Sequence, residues 1–448
     1  MSMVDRLSSF IVKTTLDDIP PETAKYVKEL ALKTTAGMLA GSKLSQGQRI
    51  VDYIQKRGDK PEARIIGTQI RTSLENAALV NGFFAHVSEL EDDQYPGPTS
   101  DITIFPVIFP LCEKLKLSGK EFLEACAVGT EVMNRFSYYT QPRTAQLGVL
   151  VLSYYGIIGA ATVAARAFRL DEERVKAALG LAFTQGGGYY VNLGTEAHYL
   201  DSAWSCRNGL VAAEMAREGW TSSPNLEQWL VNLLGADGVN LEGITHHLGR
   251  PPFLIHNIWI KKYPCCFLTQ RQIDSLFMLL KEHKFKPVDV NEIILDVCAA
   301  DAAACDRPFP DDVEASKFSY QHILSAVLLD GEIDMSTFTT AKLNDPAIKN
   351  YRTRIKVIPH PEWGGGTQAG IARVTVKLRD GKVLQKEMDQ PPGGSKYPLP
   401  EEQLGALYQK YTRNILSDEK IIKTQELILN MEKLNDLSEL IDILSFES

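Results

Sequence analysis

The sequence predicts a mainly α protein with an α+β part: a large all-helical domain and a smaller α+β domain. Apolar residues recur at helical spacing through most of the first 285 residues, and alternating β-branched runs appear from about residue 286. Helical patterning returns after residue 400. The chain has 448 residues, of which 44% are hydrophobic and 23% charged, and this composition excludes intrinsic disorder.

Four segments predict the helices of the larger domain. From Thr23 onward apolar residues recur near helical spacing after a Pro-Pro start, and segment 120–136 is apolar over a wide face, as in a buried helix. Segments 156–169 and 204–219 are rich in alanine and glycine. Because small side chains let two helices approach closely, we expect both at helix–helix contacts, and Gly219 fits a helix C-cap.

The β-rich part comes next. The runs NEIILDVCA and YRTRIKVIPH alternate as strands do, and ARVTVKLRDGKVLQKEM carries Asp-Gly between two alternating runs, which predicts a hairpin. The turn-rich sequence QPPGGSKYPLP closes this part, and EEQLGALYQKY and a long stretch up to Ile443 are helical again. We therefore expect a helical domain from residues 1–268 and 401–448, an α+β domain from residues 269–400, and a cleft between them.

Composition and charge argue against several classes of protein. The formal net charge of −8 disfavours non-specific nucleic-acid binding, which needs clustered Lys and Arg. No apolar run reaches the roughly 18 residues of a membrane helix, and the N-terminus does not resemble a signal peptide. The seven cysteines show no zinc-ligand spacing, so we expect buried, reduced thiols in a cytoplasmic protein.

An acidic run follows the apolar sequence NGFFAHVS. Glu89, Glu91, Asp92 and Asp93 place four carboxylates within five residues, and the next segment, TIFPVIFP, is apolar again. A charge run usually forms a solvated surface, but a loop between two buried segments is also where sites often lie. Clustered carboxylates raise one another's pKa, which suits a general base. No histidine flanks the run at ligand spacing, so we expect no metal there.

The hexapeptide Lys-Lys-Tyr-Pro-Cys-Cys at residues 261–266 precedes an amphipathic helical segment. A lysine just ahead of a helix N-terminus can face an anion. The alternatives are a solvated lysine pair beside two buried cysteines, or a cysteine nucleophile, for which the sequence shows no base. The glycines at residues 186–188 follow no strand and match no phosphate-binding motif, so we interpret them as a helix break lining a cleft.

Two of the eight histidines lie on segments that we expect at the domain junction. His198 follows the glycine break, and His322 lies in KFSYQHILSAVLLDG. Only histidine titrates near neutral pH without help, so both are candidate acid/base groups. The alternative for each is a structural or surface role.

Together, several stretches resemble the MmgE/PrpD family in order and spacing. They are NGFFAHVSELEDD with FPVIFPLCE, AALGLAFTQGGG, GLVAAEMAREGWTSSPNLEQ, KKYPCCFLTQRQIDSL and KFSYQHILSAVLLDG. That family includes 2-methylcitrate dehydratase, cis-aconitate decarboxylase and iminodisuccinate epimerase. The resemblance spans nearly the whole chain. It implies a large helical domain from both chain ends, a smaller α+β lid domain, a homodimer and a cleft between the domains.

The resemblance also identifies positions at which this sequence lacks the family's charged residues. Motif histidines fall on residues 99–101, residues 148–152 and Gln270, and a Lys-Arg-Leu-His motif falls on residues 198–201. Arg and Lys hold carboxylates, at roughly 1.5–3 kcal/mol per charged hydrogen bond. We therefore predict a substrate with fewer carboxylates, or a larger apolar part, than methylcitrate or cis-aconitate.

Other motif positions supply the predicted catalytic groups. The lysine of the family's Lys-x-Tyr-Pro motif is kept as Lys261, its first acidic aspartate is Glu89, and its tyrosine after Lys-Phe-Ser is His322. We expect Lys261 to stabilise charge on the substrate, and Glu89, His198 or His322 to transfer a proton. The predicted substrate-binding residues are Asp92, Thr99, Tyr199, Gln270 and Tyr154.

The resemblance implies a lyase that dehydrates or decarboxylates a small organic acid next to a carboxylate or carbonyl, with no cofactor and no metal. One alternative is an isomerase or epimerase in which His198 and His322 move a proton between the two faces of a carbon. Another is a non-catalytic ligand-binding or assembly protein. We expect a small carboxylate-type ligand, and neither a nucleic-acid nor a membrane partner.

Overall fold

The structure is a computed structural model that describes residues 1–94, 97–364, 370–394 and 396–446. It divides into two compact units. The helical unit contains Met1–Val191, Tyr199–Ile258 and Pro400–Ser448, and so takes residues from both ends of the chain. The sheet unit contains Asn192–His198 and Trp259–Leu399.

Helices make up most of the fold, which confirms the predicted class. In chain order they are α1 (Met3–Lys13), α2 (Pro21–Ser42), α3 (Ser45–Arg57), α4 (Leu74–Val87), α5 (Asp101–Leu115), α6 (Gly119–Tyr138), α7 (Arg143–Gln146), α8 (Val151–Ala167), α9 (Glu172–Phe183), α10 (Glu196–Arg217), α11 (Leu226–Leu234), α12 (Leu241–Thr245), α13 (Gln270–His283), α14 (Ala299–Cys305), α15 (Val313–Ser316), α16 (Tyr320–Asp330), α17 (Thr340–Asn344), α18 (Pro346–Arg352), α19 (Glu401–Thr412), α20 (Asp418–Leu429) and α21 (Ser438–Leu444). The strands are β1 (Ala63–Arg64), β2 (Arg71–Thr72), β3 (Asp93–Gln94), β4 (Ile258–Trp259), β5 (Val290–Cys298), β6 (Ile355–His360), β7 (Ala372–Leu378) and β8 (Val383–Met388).

Residues at the helix ends explain where several of these helices begin and end. Pro21 is the first residue of α2, where its lost N–H costs nothing and its fixed φ suits the helix. Ser118 caps α6 by accepting from the backbone N–H of Glu121, whose side chain returns the bond. Gly219, with φ of 93°, takes the left-handed conformation just past the end of α10, as predicted.

The alanine- and glycine-rich helices do lie at close helix–helix contacts. A Cβ added to Gly129 on α6 would lie 2.6 Å from a methyl group of Val163 on α8. A Cβ added to Gly209 on α10 would lie 2.6 Å from the carbonyl oxygen of Ile157, also on α8. Both distances are too short for a real side chain, so α6, α8 and α10 can approach this closely only because glycine stands at these positions.

The C-terminal helices complete the helical unit. Both α19 and α20 pack on α2, and the ammonium of Lys28 on α2 donates to the carbonyl of Leu429 at 2.8 Å. The predicted long helix up to Ile443 is wrong, because the chain breaks between α20 and α21. In the break, the carbonyl of Leu434 accepts from the N–H of Gly119 at 3.0 Å, and Met431 is fully buried. Packing against the start of α6 therefore overrides the local helical preference.

The sheet unit contains a four-stranded mixed sheet in the order β6-β5-β7-β8. β5 pairs parallel with β6 and antiparallel with β7, and β7 pairs antiparallel with β8. The Asp-Gly prediction of a hairpin is confirmed, since Gly381 (φ 89°) lies in the β7–β8 turn. α13 packs on β7 and β8, and the core contains Ile293, Leu295 and Val376.

Two predictions from composition bear on the fold. Within the described ranges, no helix combines the length and the apolar character that crossing a bilayer requires. All seven cysteines lie in those ranges, and each is buried and outside any disulfide.

Candidate active site

The acidic loop, residues 89–94 and 97–101, follows α4 in the helical unit. It is not a solvated surface, because Glu89 is 1% exposed and Asp92 is fully buried. Glu89 has a φ of 54°, a left-handed conformation that costs free energy in a residue other than glycine. Its N–H donates to the carbonyl of His86 at 2.9 Å. The chain therefore turns sharply after α4 and carries its carboxylates inward.

A lysine from another helix balances part of this charge. Lys33 on α2 is fully buried, its ammonium donates to the carbonyl of Leu90, and it lies 3.5 Å from Oδ1 of Asp92. Lys33 and Leu90 are 57 positions apart. Sequence reasoning missed Lys33, because nothing in an apolar helical pattern identifies a partner so far along the chain.

A second buried carboxyl group lies at the end of the acidic loop. Asp101, the first residue of α5, accepts a hydrogen bond from the Thr34 hydroxyl at 2.9 Å. Burial, together with the negative charge of Asp92, raises the pKa of Asp101 well above its ordinary value. The predicted binding residue Thr99 donates its hydroxyl to Oδ1 of Asp93. The loop therefore limits its buried negative charge with a lysine and with a carboxyl group that favours its protonated form.

Tyr199, a predicted binding residue, packs beside the start of this loop. Its ring is fully buried and meets the His86 ring edge-on, with 5.4 Å between the ring centroids. Nδ1 of His86 is hydrogen-bonded to the Ser202 hydroxyl at 3.0 Å. Tyr199, His86 and Glu89 thus form one neighbourhood within the helical unit.

The glycine break at residues 186–188 lies beside the start of α8. The carbonyl of Gly188 (φ 116°) accepts from the N–H of Leu150 at 3.1 Å. A Cβ at Gly188 would overlap the Ser153 hydroxyl and would lie 3.1 Å from Oδ1 of Asp201. Residues 148–152 and Asp201, on which two family motifs fall, are therefore brought together here. Burial raises the pKa of the nearby Tyr154, the other predicted binding residue on α8.

In the sheet unit, Lys261 begins the basic loop, residues 261–266. Lys261 is only 1% exposed. The preceding residue, Ile260, donates its N–H to the carbonyl of Gly393 at 2.9 Å, and a Cβ at Gly393 would overlap the carbonyl oxygen of Ile260. The turn-rich Pro-Pro-Gly-Gly segment therefore fixes the backbone that carries Lys261. Low dielectric around a buried ammonium strengthens its attraction for a substrate charge.

The basic loop is folded around Gln270. Its Oε1 accepts from the N–H groups of Lys262 at 3.3 Å and Tyr263 at 3.2 Å. Its Nε2 donates to the carbonyls of Tyr263 at 3.1 Å and Cys265 at 3.3 Å. A carboxamide has two acceptor positions and two N–H groups, and the loop uses all of them. This geometry argues against the predicted substrate-binding role of Gln270, because no capacity remains for a ligand.

Asp274, one turn further along α13, fixes the second lysine. Its Oδ1 accepts from Lys262 Nζ at 2.5 Å and from the Tyr263 hydroxyl at 2.9 Å. Burial raises the pKa of Asp274, and Lys262 and Tyr263 oppose that rise. Lys262 therefore has a carboxylate partner on the helix that follows the loop.

His322 on α16 is fully buried, and both of its ring nitrogens are engaged. Nε2 donates to the carbonyl of Thr337 at 3.0 Å, so Nδ1 is the acceptor for Nη2 of Arg352 at 2.6 Å. Burial lowers the pKa of His322 to about 4. This geometry argues against the predicted acid/base role, because the imidazole is held neutral and has no nitrogen left for a substrate.

His198 has a different environment within the same unit. The residue is 6% exposed, and its ring packs edge-on against the Phe318 ring, with centroids 6.3 Å apart. The guanidinium of Arg307 covers Phe318, with 5.4 Å between Cζ and the ring centroid. Sequence reasoning missed Arg307, because an arginine before a proline predicts only extended backbone. The basic loop joins this region, since the Cys266 N–H donates to the carbonyl of Lys317 at 3.0 Å.

The predicted site residues therefore fall into separate groups. Glu89, Asp92, Thr99 and Tyr199 lie at or beside the acidic loop, and Tyr154 lies at the glycine break. In the sheet unit, backbone hydrogen bonding joins the loop that carries Lys261 to the segment that carries Phe318, against which His198 packs. Gln270 and His322 are committed to structural hydrogen bonds.

Comparison with known proteins agrees with a helical domain joined to an α+β domain. The model of the MmgE/PrpD N-terminal domain matches residues 5–228, and the model of the MmgE/PrpD C-terminal domain matches residues 263–433. The chain therefore belongs to the MmgE/PrpD family, as its motifs predicted.

Curated relatives match over most of their length. The chain is 25% identical over 382 residues to the cis-aconitate decarboxylase of Mus musculus, covering 81% of this chain and 76% of that protein. It is 22% identical over 470 residues to the cis-aconitate decarboxylase of Aspergillus terreus, covering 96% and 93%. The cis-aconitate decarboxylase-like protein oryM of Aspergillus oryzae is 23% identical over 483 residues, covering 98% and 97%.

Proposed function

We propose that this protein is a lyase that acts on a small organic acid next to a carboxylate, by acid/base chemistry and without a cofactor. Family membership over nearly the whole chain supports this class. Decarboxylation is favoured over dehydration because the relatives that match most of the chain are named as decarboxylases. The observation that carries the proposal is the combination of this relationship with a buried Lys261 in the basic loop.

The proposed substrate has fewer carboxylates than cis-aconitate. Family positions for histidine or cationic residues fall here on residues 99–101, residues 148–152, residues 198–201 and Gln270, which offer fewer charges to an anion. The hydrogen bonds of Gln270 within the basic loop add to this argument, because a saturated carboxamide cannot replace a charged ligand-binding group. Each lost charged hydrogen bond weakens anion binding by roughly 1.5–3 kcal/mol.

The proposed reaction uses two groups of the sheet unit. The bond between the leaving carboxylate and the neighbouring carbon of the substrate breaks, and CO₂ departs. The electron pair passes through the conjugated system into a carbonyl group, which becomes an enolate. Lys261 stabilises the enolate oxygen. His198 then donates one proton to the carbon, so that the product carries hydrogen in place of the carboxylate. Glu89, Asp92, Thr99, Tyr154 and Tyr199 stay predictions for binding or proton transfer.

The epimerase alternative needs two acid/base groups. The sequence suggested His198 and His322 for these two groups. The hydrogen bonds of His322 to Thr337 and Arg352 argue against His322 in this role. A reaction run in D₂O tests this choice. Deuterium in recovered substrate without loss of CO₂ or water would favour an epimerase over a lyase.

Assays of CO₂ release and mass spectrometry on purified protein test the proposal. The substrates are cis-aconitate and two unsaturated dicarboxylates, glutaconate and itaconate, in which one carboxylate sits on the carbon next to a double bond conjugated with the other carboxyl group. Lys261→Ala should lower kcat/KM at least about 100-fold, the scale for removing one group that stabilises an oxyanion. Lys382→Ala, an exposed lysine in the β7–β8 turn, is the control and should keep full activity.

Three outcomes would contradict parts of the proposal. A fully active Lys261→Ala variant would remove the assigned role of Lys261. Preference for cis-aconitate over every dicarboxylate would overturn the prediction of a substrate with lower charge. Tight binding of these acids with no product after long incubation would replace the lyase by the non-catalytic alternative.

A further inference from the structure

The guanidinium of Arg307 is held in a fixed orientation in the sheet unit. Nε donates to the carbonyl of Ala304 at 3.0 Å, and Nη2 donates to the carbonyl of Leu193 at 3.3 Å. Its plane lies over Phe318, which is 3% exposed. In addition, the Ser319 hydroxyl donates to the Arg307 carbonyl at 2.6 Å, so backbone and side chain are both fixed. An ordered guanidinium loses little further conformational entropy when it binds a ligand.

Throughout the described ranges, no carboxylate lies within ion-pair distance of Arg307. Of the other arginines with little exposure, Arg64, Arg135, Arg166 and Arg271 pair with a carboxylate, and Arg352 donates to His322 and to the carbonyl of Leu343. The partly exposed Arg307 therefore keeps an uncompensated positive charge in a protein whose net charge is −8. Such a charge attracts an anion.

The remaining donors of Arg307 suit a carboxylate. A guanidinium has five N–H groups, and two of them bind Ala304 and Leu193, so three stay available on Nη1 and Nη2. Gly194 has a φ of 81°, and a Cβ there would overlap Nη1. Glycine at this position therefore leaves room for Nη1, and two parallel N–H groups of a guanidinium match the geometry of a carboxylate.

The surroundings of Arg307 connect it with the proposed acid/base group. Both residues contact the Phe318 ring: the guanidinium of Arg307 lies over its face, and the His198 ring meets it edge-on. The Lys-Arg-Leu-His motif of the family falls on residues 198–201, where this chain has no cation. Arg307 brings a cation to the ring that His198 contacts, from a different segment of the chain. The neighbouring cation Lys317 cannot serve in the same way, because Glu314 binds it at 2.8 Å.

We infer that Arg307 binds one carboxylate of the substrate beside His198, which makes the ligand a small mono- or dicarboxylate. This inference rests on the proposed function for its catalytic meaning, since a carboxylate anchored there leaves the rest of the molecule within reach of His198. Arg307 is a specificity residue in this scheme, and the proton transfer stays with His198.

Calorimetric titration of the full chain with maleate, crotonate and the uncharged maleamide tests the inference without needing turnover. Arg307→Gln should raise the Kd for maleate and crotonate about tenfold to a hundredfold, as expected for one lost charged hydrogen-bonded pair. It should leave maleamide binding unchanged. Arg307→Lys should give an intermediate Kd, because the charge stays and the planar fork is lost.

Arg354→Gln is the matched control. Arg354 lies in the same unit, donates to the carbonyl of Val290 at 3.0 Å and covers the Tyr351 ring at 4.5 Å. It shares the environment of a ring and a carbonyl but has no histidine across that ring. We expect its substitution to change Kd less than twofold, and melting temperatures of all variants should show that they are folded.

The outcomes separate this inference from the proposed function. Equal effects of Arg307→Gln and Arg354→Gln, or no carboxylate binding by the unaltered protein, would overturn the inference. Carboxylate binding that depends on Arg307, with no CO₂ or water released from any acid, would preserve the inference and remove the lyase. Normal turnover with unaltered carboxylate affinity in Arg307→Gln would remove the inference and keep the lyase.

Discussion

The acidic loop of the helical unit and the basic loop of the sheet unit both bury charge, but they balance it over different distances along the chain. In the acidic loop, Lys33 reaches Leu90 and Asp92 from a helix 57 positions away. In the basic loop, Lys262 is bound by Asp274, only 12 positions away and on the next helix. Charge balance in the acidic loop therefore depends on assembly of the helical unit, whereas Lys262 in the basic loop finds its carboxylate on the next helix.

The two loops also differ in the roles that we assign to their buried lysines, Lys33 and Lys261. The ammonium of Lys33 balances the charge of Asp92 and binds the carbonyl of Leu90, so we assign Lys33 a role in stabilising the fold. Lys261 is adjacent to a lysine whose charge is already balanced, and its backbone is fixed by the Pro-Pro-Gly-Gly segment.

The largest expected effect is a loss of stability when the buried cation of the acidic loop is removed. Lys33→Met should lower the free energy of unfolding by about 3–5 kcal/mol, because it leaves the buried carboxylate of Asp92 without its cation. Chemical denaturation measures this loss. Lys25→Met is the control on the same helix, since its ammonium is exposed and forms only long surface contacts with Glu29 and Glu401. The control should cost about 0.5 kcal/mol or less, and equal losses in both variants would remove the assigned role of Lys33.

The next expected effect is a pH dependence of stability that differs between the two units. The pKa of His322 is lowered to about 4 by burial, below the ordinary value of 6.5, so the unfolded chain binds the proton more tightly. Stability from this group is complete above about pH 6.5 and falls by about 2–3 kcal/mol as the pH approaches 4. The raised pKa of Asp101 acts in the opposite direction, because its contribution is present at low pH and is lost as the pH rises through that pKa.

Denaturation curves between pH 4 and 7 measure the His322 contribution. His322→Gln offers a donor and an acceptor but does not titrate, so its stability should fall less than that of the unaltered protein over this range. Parallel pH profiles for the two proteins would contradict the assignment. Asp101→Asn should steepen the loss of stability on acidification, because it removes the group that compensates at low pH.

The smallest expected effect concerns the basic loop. Gln270→Ala removes the carboxamide that holds Lys262, Tyr263 and Cys265, and should lower the free energy of unfolding by about 1–2 kcal/mol. Gln403→Ala, an exposed glutamine on α19, should leave it nearly unchanged. If the two variants were equally stable, the basic loop would not depend on Gln270.

Much of the fold could be predicted from local patterns. The Pro-Pro start of α2, the small residues of α8 and the Asp-Gly of the β7–β8 hairpin all act where their spacing indicated. The long C-terminal helix was wrong, because packing of Met431 at the start of α6 has no signature in the C-terminal segment itself. The candidate site was less predictable. The sequence shows that Gln270 follows the basic loop by four residues, but it does not show that the hydrogen bonds of this loop occupy the whole carboxamide.

The sequence by itself determined the class of fold, the family and the presence of Lys261 in a loop before a helix, because these depend on periodicity and on motifs only a few residues long. Only the tertiary structure decided that Lys33 serves the acidic loop, that His322 is fully hydrogen-bonded and that Arg307 lies beside the ring that His198 contacts. These depend on contacts between distant segments, and distance along the chain carries no information about which buried charges and donors meet once the chain has folded.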